Sequence, residues 1–355
     1  MDGLTLSQAS SSAGSLPADV LATIMMEATV SQFKDTPFGH WDRVSSAANV
    51  CSHWRSVALS DSRLWAFIFA DYYTPTWILE LGASRSRGRA LILHIQIHST
   101  RFLSRRGSPP PAVPRFLQTV FGIMQNSPCA SLAVDSEDAC GSMAFMNHFP
   151  LTSFTTLMRF TCGLHEYPYS AGSGSIVLPG SLNSIIFIRN IFIVSFPATL
   201  VELSLEDVVD APCAQLILLL QKCTRVIRLR LQGIYCQGRD GGPKVVLPAL
   251  RELEVHIQVS PCALLEYIDA PFIRSLHLSV HNTSALLIFV RRTKEIVSRV
   301  AHLDLRVEGL QAAAFVSVLG ECSSVRSIAA PRAVLAQVNC GPHIEAFPND
   351  NLGIL

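Results

Sequence analysis

The sequence predicts an α/β protein: a small N-terminal helical module followed by an irregular array of repeats built on a parallel sheet. Three observations carry this expectation. A pattern of the form L-x-x-L-x-L recurs about every 25 residues between Cys129 and Ala330. Two apolar helical segments are crowded between Leu16 and Trp65. Of the 355 residues, 49% are hydrophobic and only 15% charged, against an average of about 25% charged. A chain of this length exceeds one compact core, so a module plus an extended array fits it better.

In the N-terminal segment, Pro17 suits the start of a helix, where its missing N–H would have had no partner, and Asp19 sets negative charge near the positive end of the dipole. Val20, Leu21, Ile24, Met25 and Ala28 recur at steps of three and four and predict one apolar face. Downstream, Val44, Ala47, Cys51, Trp54 and Ala58 continue those steps and predict a single second helix, with Val50, Leu64 and Trp65 widening its seam. So few residues have little interior of their own, so part of this seam is expected to dock on a neighbour or a partner.

The ordered residues Leu16-Pro17, Val20, Leu21, Ile24, Val50-Cys51, Trp54-Arg55, Ala58 and Leu64-Trp65 resemble the F-box, a helical module that binds the Skp1 adaptor of cullin-RING ubiquitin ligases. The wording VCSHWRSVALSDSRLW looks most like the F-box-like proteins abundant in mushroom-forming fungi. The match covers roughly a seventh of the chain. The resemblance implies Skp1 contacts at Leu16, Pro17, Val20, Leu21, Ile24, Val50, Trp54 and Leu64. It departs from the family in the inserted segment SQFKDTPFGHWDR, where Pro37 and Gly39 mark a loop and Phe38 and Trp41 are placed to fold back. The alternative is that Leu64, Trp54 and Trp65 only close a helical cap on the next domain.

Trp77 to Leu81 then predicts a short helix, and Leu91 to Ile97 an alternating strand that could begin the array. Residues 98–114, with Arg105-Arg106, Gly107 and three consecutive prolines, predict an exposed loop. Arg85, Arg87, Arg89, Arg101, Arg105 and Arg106 form a basic cluster, either solvated or available for import or an acidic partner.

The repeat aligns Cys129/Leu132/Val134, a degraded copy at Phe154/Leu157, Leu182/Ile185/Phe187, Leu200/Leu203/Leu205, Val226/Leu229/Leu231, Leu250/Leu253/Val255, Ile273/Leu276/Leu278, Val300/Leu303/Leu305 and Val325/Ile328/Ala330. Alternate strand side chains point to opposite faces, so the last two apolar positions enter the core together. The period is similar to that of leucine-rich repeats, although only Asn190 stands where their asparagine is expected. Helical or irregular returns are expected over 214–222, 262–268, 285–297 and 312–319. The expected organisation is a disordered 1–14, an F-box-like module over 15–69, a linker and solenoid start over 70–128, a leucine-rich-repeat-like solenoid over 129–340 and a tail over 341–355.

Stacking these strands in register aligns their outward residues in rungs. One reads Glu202, Arg228, Glu252, Ser275, His302; the next Ser204, Arg230, Glu254, His277, Asp304; the third Glu206, Gln232, His256, Ser279, Arg306. Such a ladder either neutralises itself or forms a polar recognition face with His277 as its most tunable member. The target-binding candidates are Arg228, Arg230, Glu254, His277 and Asp304, with Ile186 and Ile188 as an apolar spot or a covered patch.

A net charge of +1 gives no general attraction for nucleic acid or an anionic membrane. No apolar run reaches the roughly twenty residues of a membrane span, and the N-terminus lacks the features of a secretory signal. Asn282-Thr283-Ser284 is therefore a glycosylation sequon on paper only. Ten cysteines without C-x-x-C spacing fit buried thiols in a reducing, intracellular setting, cytoplasmic or nuclear, and imply no metal. No local motif supplies a nucleophile with its base and orienting group, and no glycine loop has the phosphate-cradling order, so neither an enzyme nor a cofactor is expected. The expected function is a non-catalytic substrate-recognition adaptor of an SCF-type ligase, binding Skp1 and through it a cullin, with the repeats holding an unknown target protein. The alternative is a leucine-rich-repeat interaction scaffold without a ligase role.

Overall fold

The structure is a computed structural model and describes residues 16–33, 46, 48–71, 73–97, 112–137, 151–164, 175–189, 193–237, 244–257, 263–338 and 344–348. Twelve strands form one sheet: β1 (Phe67–Asp71), β2 (Leu91–Ile97), β3 (Cys129–Ser136), β4 (Arg159–Leu164), β5 (Ser184–Ile188), β6 (Glu202–Glu206), β7 (Arg228–Gln232), β8 (Glu252–Ile257), β9 (Ser275–Val280), β10 (His302–Val307), β11 (Ser327–Ala330) and β12 (Glu345–Pro348). They lie side by side in chain order, and the sheet is parallel. The protein is thus α/β with a long parallel sheet. Two compact units divide the chain, 1–96 with 106–132 and 97–105 with 133–355. The first unit reaches past the expected boundary at residue 69, because β1, β2 and two helices fold with the N-terminal segment.

The first unit begins with α1 (Ala18–Phe33), opened by Pro17, whose carbonyl accepts from the Leu21 N–H at 3.0 Å. Residues 48–50 are helical, but Cys51 is extended (φ −158°, ψ 175°) and caps a new helix, α2 (Ser52–Ser60). The single second helix expected through Cys51 is therefore broken there. Val44 and Ala47 lie outside the described residues, as do Phe38, Trp41 and residues 1–14. Asp61 caps the short α3 (Ser62–Trp65): its Oδ1 accepts from the Arg63 N–H at 2.9 Å, and Arg63 holds its carboxyl below the usual carboxylate range.

A small core joins Leu21, Ala22 and Met25 of α1 to Val57, Ala58, Leu64 and Trp65. The Trp65 indole N–H donates to the Ala58 carbonyl at 2.8 Å, so the ring is buried without an orphan donor. Arg85, at the end of α4 (Thr76–Arg85), lies over that ring at 4.9 Å and donates to the Leu59 carbonyl, while Arg89 donates to Ser62 Oγ. Two members of the basic cluster are thus structural ties; Arg101, Arg105 and Arg106 fall outside the described residues. β2 alternates buried and half-buried residues as expected, and α5 (Ala112–Asn126) follows. It takes in residues 112–114, which the sequence reading assigned to the loop.

In the second unit each of β4 to β11 is entered by one tight turn. The N–H of the buried residue two places before the strand donates to the carbonyl three residues earlier, as at Leu200 (3.1 Å), Leu250 (3.2 Å) and Val325 (3.3 Å). The anchor and the two inward strand positions are buried in every such unit, for example Leu203 with Leu205 and Leu276 with Leu278. Around β4 the expected alignment is corrected. The register sets Phe160 beside Ile185 and Cys162 beside Phe187, so Leu157 is the anchor and Phe154 belongs to the turn. An aromatic and a thiol fill the slots that aliphatic residues mark in most of the other units.

The returns α6 (Cys213–Gln221), α7 (Thr283–Arg292) with α8 (Lys294–Val297), and α9 (Ala312–Glu321) cover the expected segments, with a 3-10 turn at Ala263–Tyr267. Asn282 caps α7, its Oδ1 accepting from the Ala285 N–H at 2.8 Å. β12 lies in the segment expected to be a tail; its pairing with β11 is carried by backbone alone, all four side chains being exposed. Burial pushes the thiols of Cys129, Cys223 and Cys322 up to about 12, so they are protonated, inert core atoms.

After β5, β6 and β7 the chain turns through left-handed residues: Arg189 (φ 58°), Asp207 (φ 52°) and Gly233 (φ 59°). Each N–H donates to the end of the following strand, Arg189 to Glu206 and Asp207 to Gln232, both at 2.7 Å, and Gly233 to His256 at 3.2 Å. At Gly233 a Cβ would strike Asp207 Oδ1 and press on the Asp207 Cα at 3.3 Å. Gly233→Ala should therefore destabilise the fold by about 1–2 kcal/mol through left-handed strain and displacement of Asp207. Denaturant unfolding checks this, and an unchanged midpoint would refute it.

Candidate functional site

The N-terminal module divides its apolar residues between two sides. Leu21 and Met25 of α1 face the core, whereas Val20 (41% exposed) and Ile24 (45%), one turn apart, form an outward row. Val50 is 59% exposed and Pro17 is also exposed. Leu16 is half-buried, its carbonyl accepting from His53 Nε2 at 3.0 Å, and Trp54 is half-buried against the core cluster. Leu21 and Leu64, expected to face a partner, are instead sealed inside the module. The step of three and four found them because apolar residues occupy both sides of α1, and the pattern alone does not say which side is inward.

The second candidate surface is the outward side of β5 to β10. Backbone register brings Glu202, Arg228, Glu252, Ser275 and His302 into one row and Ser204, Arg230, Glu254, His277 and Asp304 into the next. Glu206, Gln232, His256, Ser279 and Arg306 form the third. Ile186 stands beside Ser204 and Ile188 beside Glu206, both half-buried. Arg228, Arg230, Glu254 and His277 line a depression of ≈ 440 Å³ that reaches from Ser184 and Ile186 to Ser279 and Arg306, whereas Ile188, His302 and Asp304 are not part of its lining. Ser184, beside Glu202, was missed in the sequence; carrying the outward parity of Glu202 one strand further back would have found it.

The rows are cross-linked. Arg228 binds Glu202 at 2.8 Å and Glu252 at 2.7 Å. Arg230 lies 3.8 Å from both Glu206 and Glu254 and donates to Gln232 at 2.9 Å. His256 donates to Glu254 at 2.7 Å, a bond that holds the Glu254 carboxyl below the usual range. His277 and Arg306 both reach Asp304 Oδ2 at 3.3 Å, and the Asp304 bond raises the His277 imidazole above its ordinary value. Every guanidinium on this face therefore has a carboxylate beside it, and a charged ligand would have to compete with a partner already present.

No protein-family model and no curated protein matches the chain. Among the described residues no group of three or more His, Cys, Asp or Glu is arranged to hold a metal ion, and no helix is long and apolar enough to cross a membrane. What the geometry offers is two exposed surfaces, one apolar on helices and one charged but internally paired on strands.

The pH behaviour follows from the signs. The raised His277 value gives stabilisation that is full below the unfolded value of about 6.5 and fades as pH rises through the folded value. The lowered Glu254 value gives stabilisation present above about 4.3 and lost as pH falls through its folded value. Denaturation midpoints should fall from about pH 6 to pH 8, and His277→Gln should flatten that slope. Equal slopes in both proteins would sink the assignment.

Proposed function

We propose that the protein is a non-catalytic substrate-recognition adaptor of an SCF-type cullin-RING ubiquitin ligase, acting inside the cell. Its helical module is F-box-like and holds a Skp1-like subunit; its strand array is an irregular leucine-rich-repeat-like solenoid that holds the target protein. The observation that carries this reading is the outward row Val20 and Ile24, with Val50, left to water in a module whose motif order resembles the F-box. Apolar side chains at that exposure on so small a unit gain most from a second polypeptide. The strand face supports the other half. It is broad, polar and fixed by paired charges, which suits orientation of a partner better than raw affinity. Chemistry would then belong to the ligase's conjugating enzyme, and the chain's contribution is a raised effective concentration of target lysines.

Val20→Glu combined with Ile24→Glu should abolish co-purification with Skp1 while leaving the thermal midpoint nearly unchanged, because both side chains are exposed. Trp54→Ala, and Leu16→Ala with Pro17→Ala, should also lose the complex, a buried aromatic anchor being worth about 2 kcal/mol or more; Trp54→Ala should in addition lower stability, since the ring packs on the core cluster. Arg230→Glu should reduce target capture. Retained Skp1 binding in all these module variants would rule the reading out.

The second reading is an interaction scaffold whose helices only cap the sheet. It is favoured by one observation, the use of Leu21 and Leu64 in the module's own core. Co-expression separates the two: the adaptor forms a stoichiometric complex with Skp1, and the scaffold does not.

A further inference from the structure

The three outward rows carry balanced charge, but the turns that open β4 to β11 do not. From each turn we take the two residues before the buried anchor and the one after it. These 24 positions hold five arginines and no aspartate or glutamate. Arg225, Arg251, Arg274, Arg299 and Arg326 all fall on the turns of β7 to β11.

The backbone ladder fixes their order. The Arg274 N–H donates to the Arg251 carbonyl at 2.8 Å, Ala301 to Arg274 at 2.8 Å, and Arg326 to Ala301 at 2.9 Å. Arg251 and Arg274 thus stand one strand apart, about 4.8 Å, and Arg326 two strands further, about 10 Å. Three of the five are engaged. Arg225 donates to the Ala198 carbonyl at 3.3 Å, Arg251 donates to the Phe272 carbonyl at 3.1 Å and covers its ring at 5.2 Å, and Arg299 pairs with Asp269 at 2.7 Å. Arg274 and Arg326 are exposed, and no carboxylate or other acceptor among the described residues bonds their guanidinium groups. Asp269 is taken by Arg299, and Glu345, whose N–H donates to the Arg326 carbonyl, makes no bond with the Arg326 guanidinium. Cations left open in this way bind an incoming anion without first breaking an internal pair, unlike Arg228 or Arg230 on the face.

Apolar side chains lie among these arginines. Ile227 follows Arg225, and Phe272, 59% exposed, lies under Arg251 and two residues before Arg274. We propose that this turn rim is a docking surface for an acidic segment of a partner protein, one in which carboxylates alternate with apolar side chains. The alternation matches cations interleaved with Ile227 and Phe272. A nucleic-acid backbone would bring dense charge and no aliphatic group, and the chain's net charge of +1 offers it no wider attraction. The inference does not depend on the adaptor reading, since neither Skp1 nor a cullin enters it.

The test uses the full chain and fluorescence anisotropy with a short labelled peptide of glutamates interspersed with phenylalanine and leucine. The expected result is binding that weakens steeply with added salt and that falls at least about tenfold in Arg274→Glu combined with Arg326→Glu. Both side chains are exposed and unpartnered, so this variant should keep the wild-type melting curve; the salt titration on the unaltered protein gives a reading that needs no variant. Three results would overturn the proposal: no binding by the unaltered protein, equal binding by the charge-reversed one, or an oligonucleotide of the same charge binding as tightly as the peptide. Val20→Glu with Ile24→Glu leaves this binding intact, so failure here and failure of Skp1 binding are separate outcomes.

Discussion

A strand can bury only alternate side chains, and in a parallel stack the next strand must present the same alternation at the same height. Most of the second unit follows from this constraint. Leu203 and Leu205 go inward only if Leu229 and Leu231 lie beside them, and these in turn need Leu253 and Val255. A one-residue slip anywhere would expose the leucines of one strand and drive arginine or glutamate inward. The price of such a slip grows with each inward pair, so register is held by burial, and the charged rows inherit their alignment from it.

The same parity explains how much of the fold could be read from residues alone. The units from Leu182 to Ala330 were legible because apolar residues mark the anchor and both inward slots, and a period of two leaves no second registration. β4 was misaligned because Phe160 and Cys162 fill those slots while Phe154 offered a false anchor. β12 gave no signal, since its pairing buries none of its side chains. In the helical module the difficulty was different. Helical spacing finds an apolar row but not its direction, and α1 carries two rows, one ending in the core and one in water. The break at Cys51 was invisible to spacing, because an extended residue between two helical segments can preserve the apparent steps of three and four.

Charge shows where burial stops deciding. On the outward face, Arg228 lies between two glutamates and Arg230 between two more, so the rows balance without a ligand. Such exposed pairs contribute little to stability. Their use is to hold long side chains in fixed positions, giving a surface of defined shape. The Glu254 and Asp304 carboxylates tie His256 and His277 into that arrangement, and the raised His277 imidazole makes the charge of the face depend on protonation as well as on sequence.

The turn rim obeys neither rule. Its residues sit where the chain has left the core and has not yet entered the ladder, so neither leucine burial nor cross-strand pairing dictates their type. Threonine, serine, alanine and proline serve the turn well enough at most of these positions, as at Thr199, whose hydroxyl lies 2.7 Å from both the Gly180 and Leu182 carbonyls and shares its one proton between them. Arg225 makes a comparable backbone contact, and Arg251 and Arg299 each tie down a neighbour. For Arg274 and Arg326 no such contact exists among the described residues. A long cationic side chain at a position where a small one would suffice, held by no acceptor among the described residues, has its physical use outside the molecule. Stability therefore depends on the inner faces of the strands, while recognition is free to draw on the turns that open them.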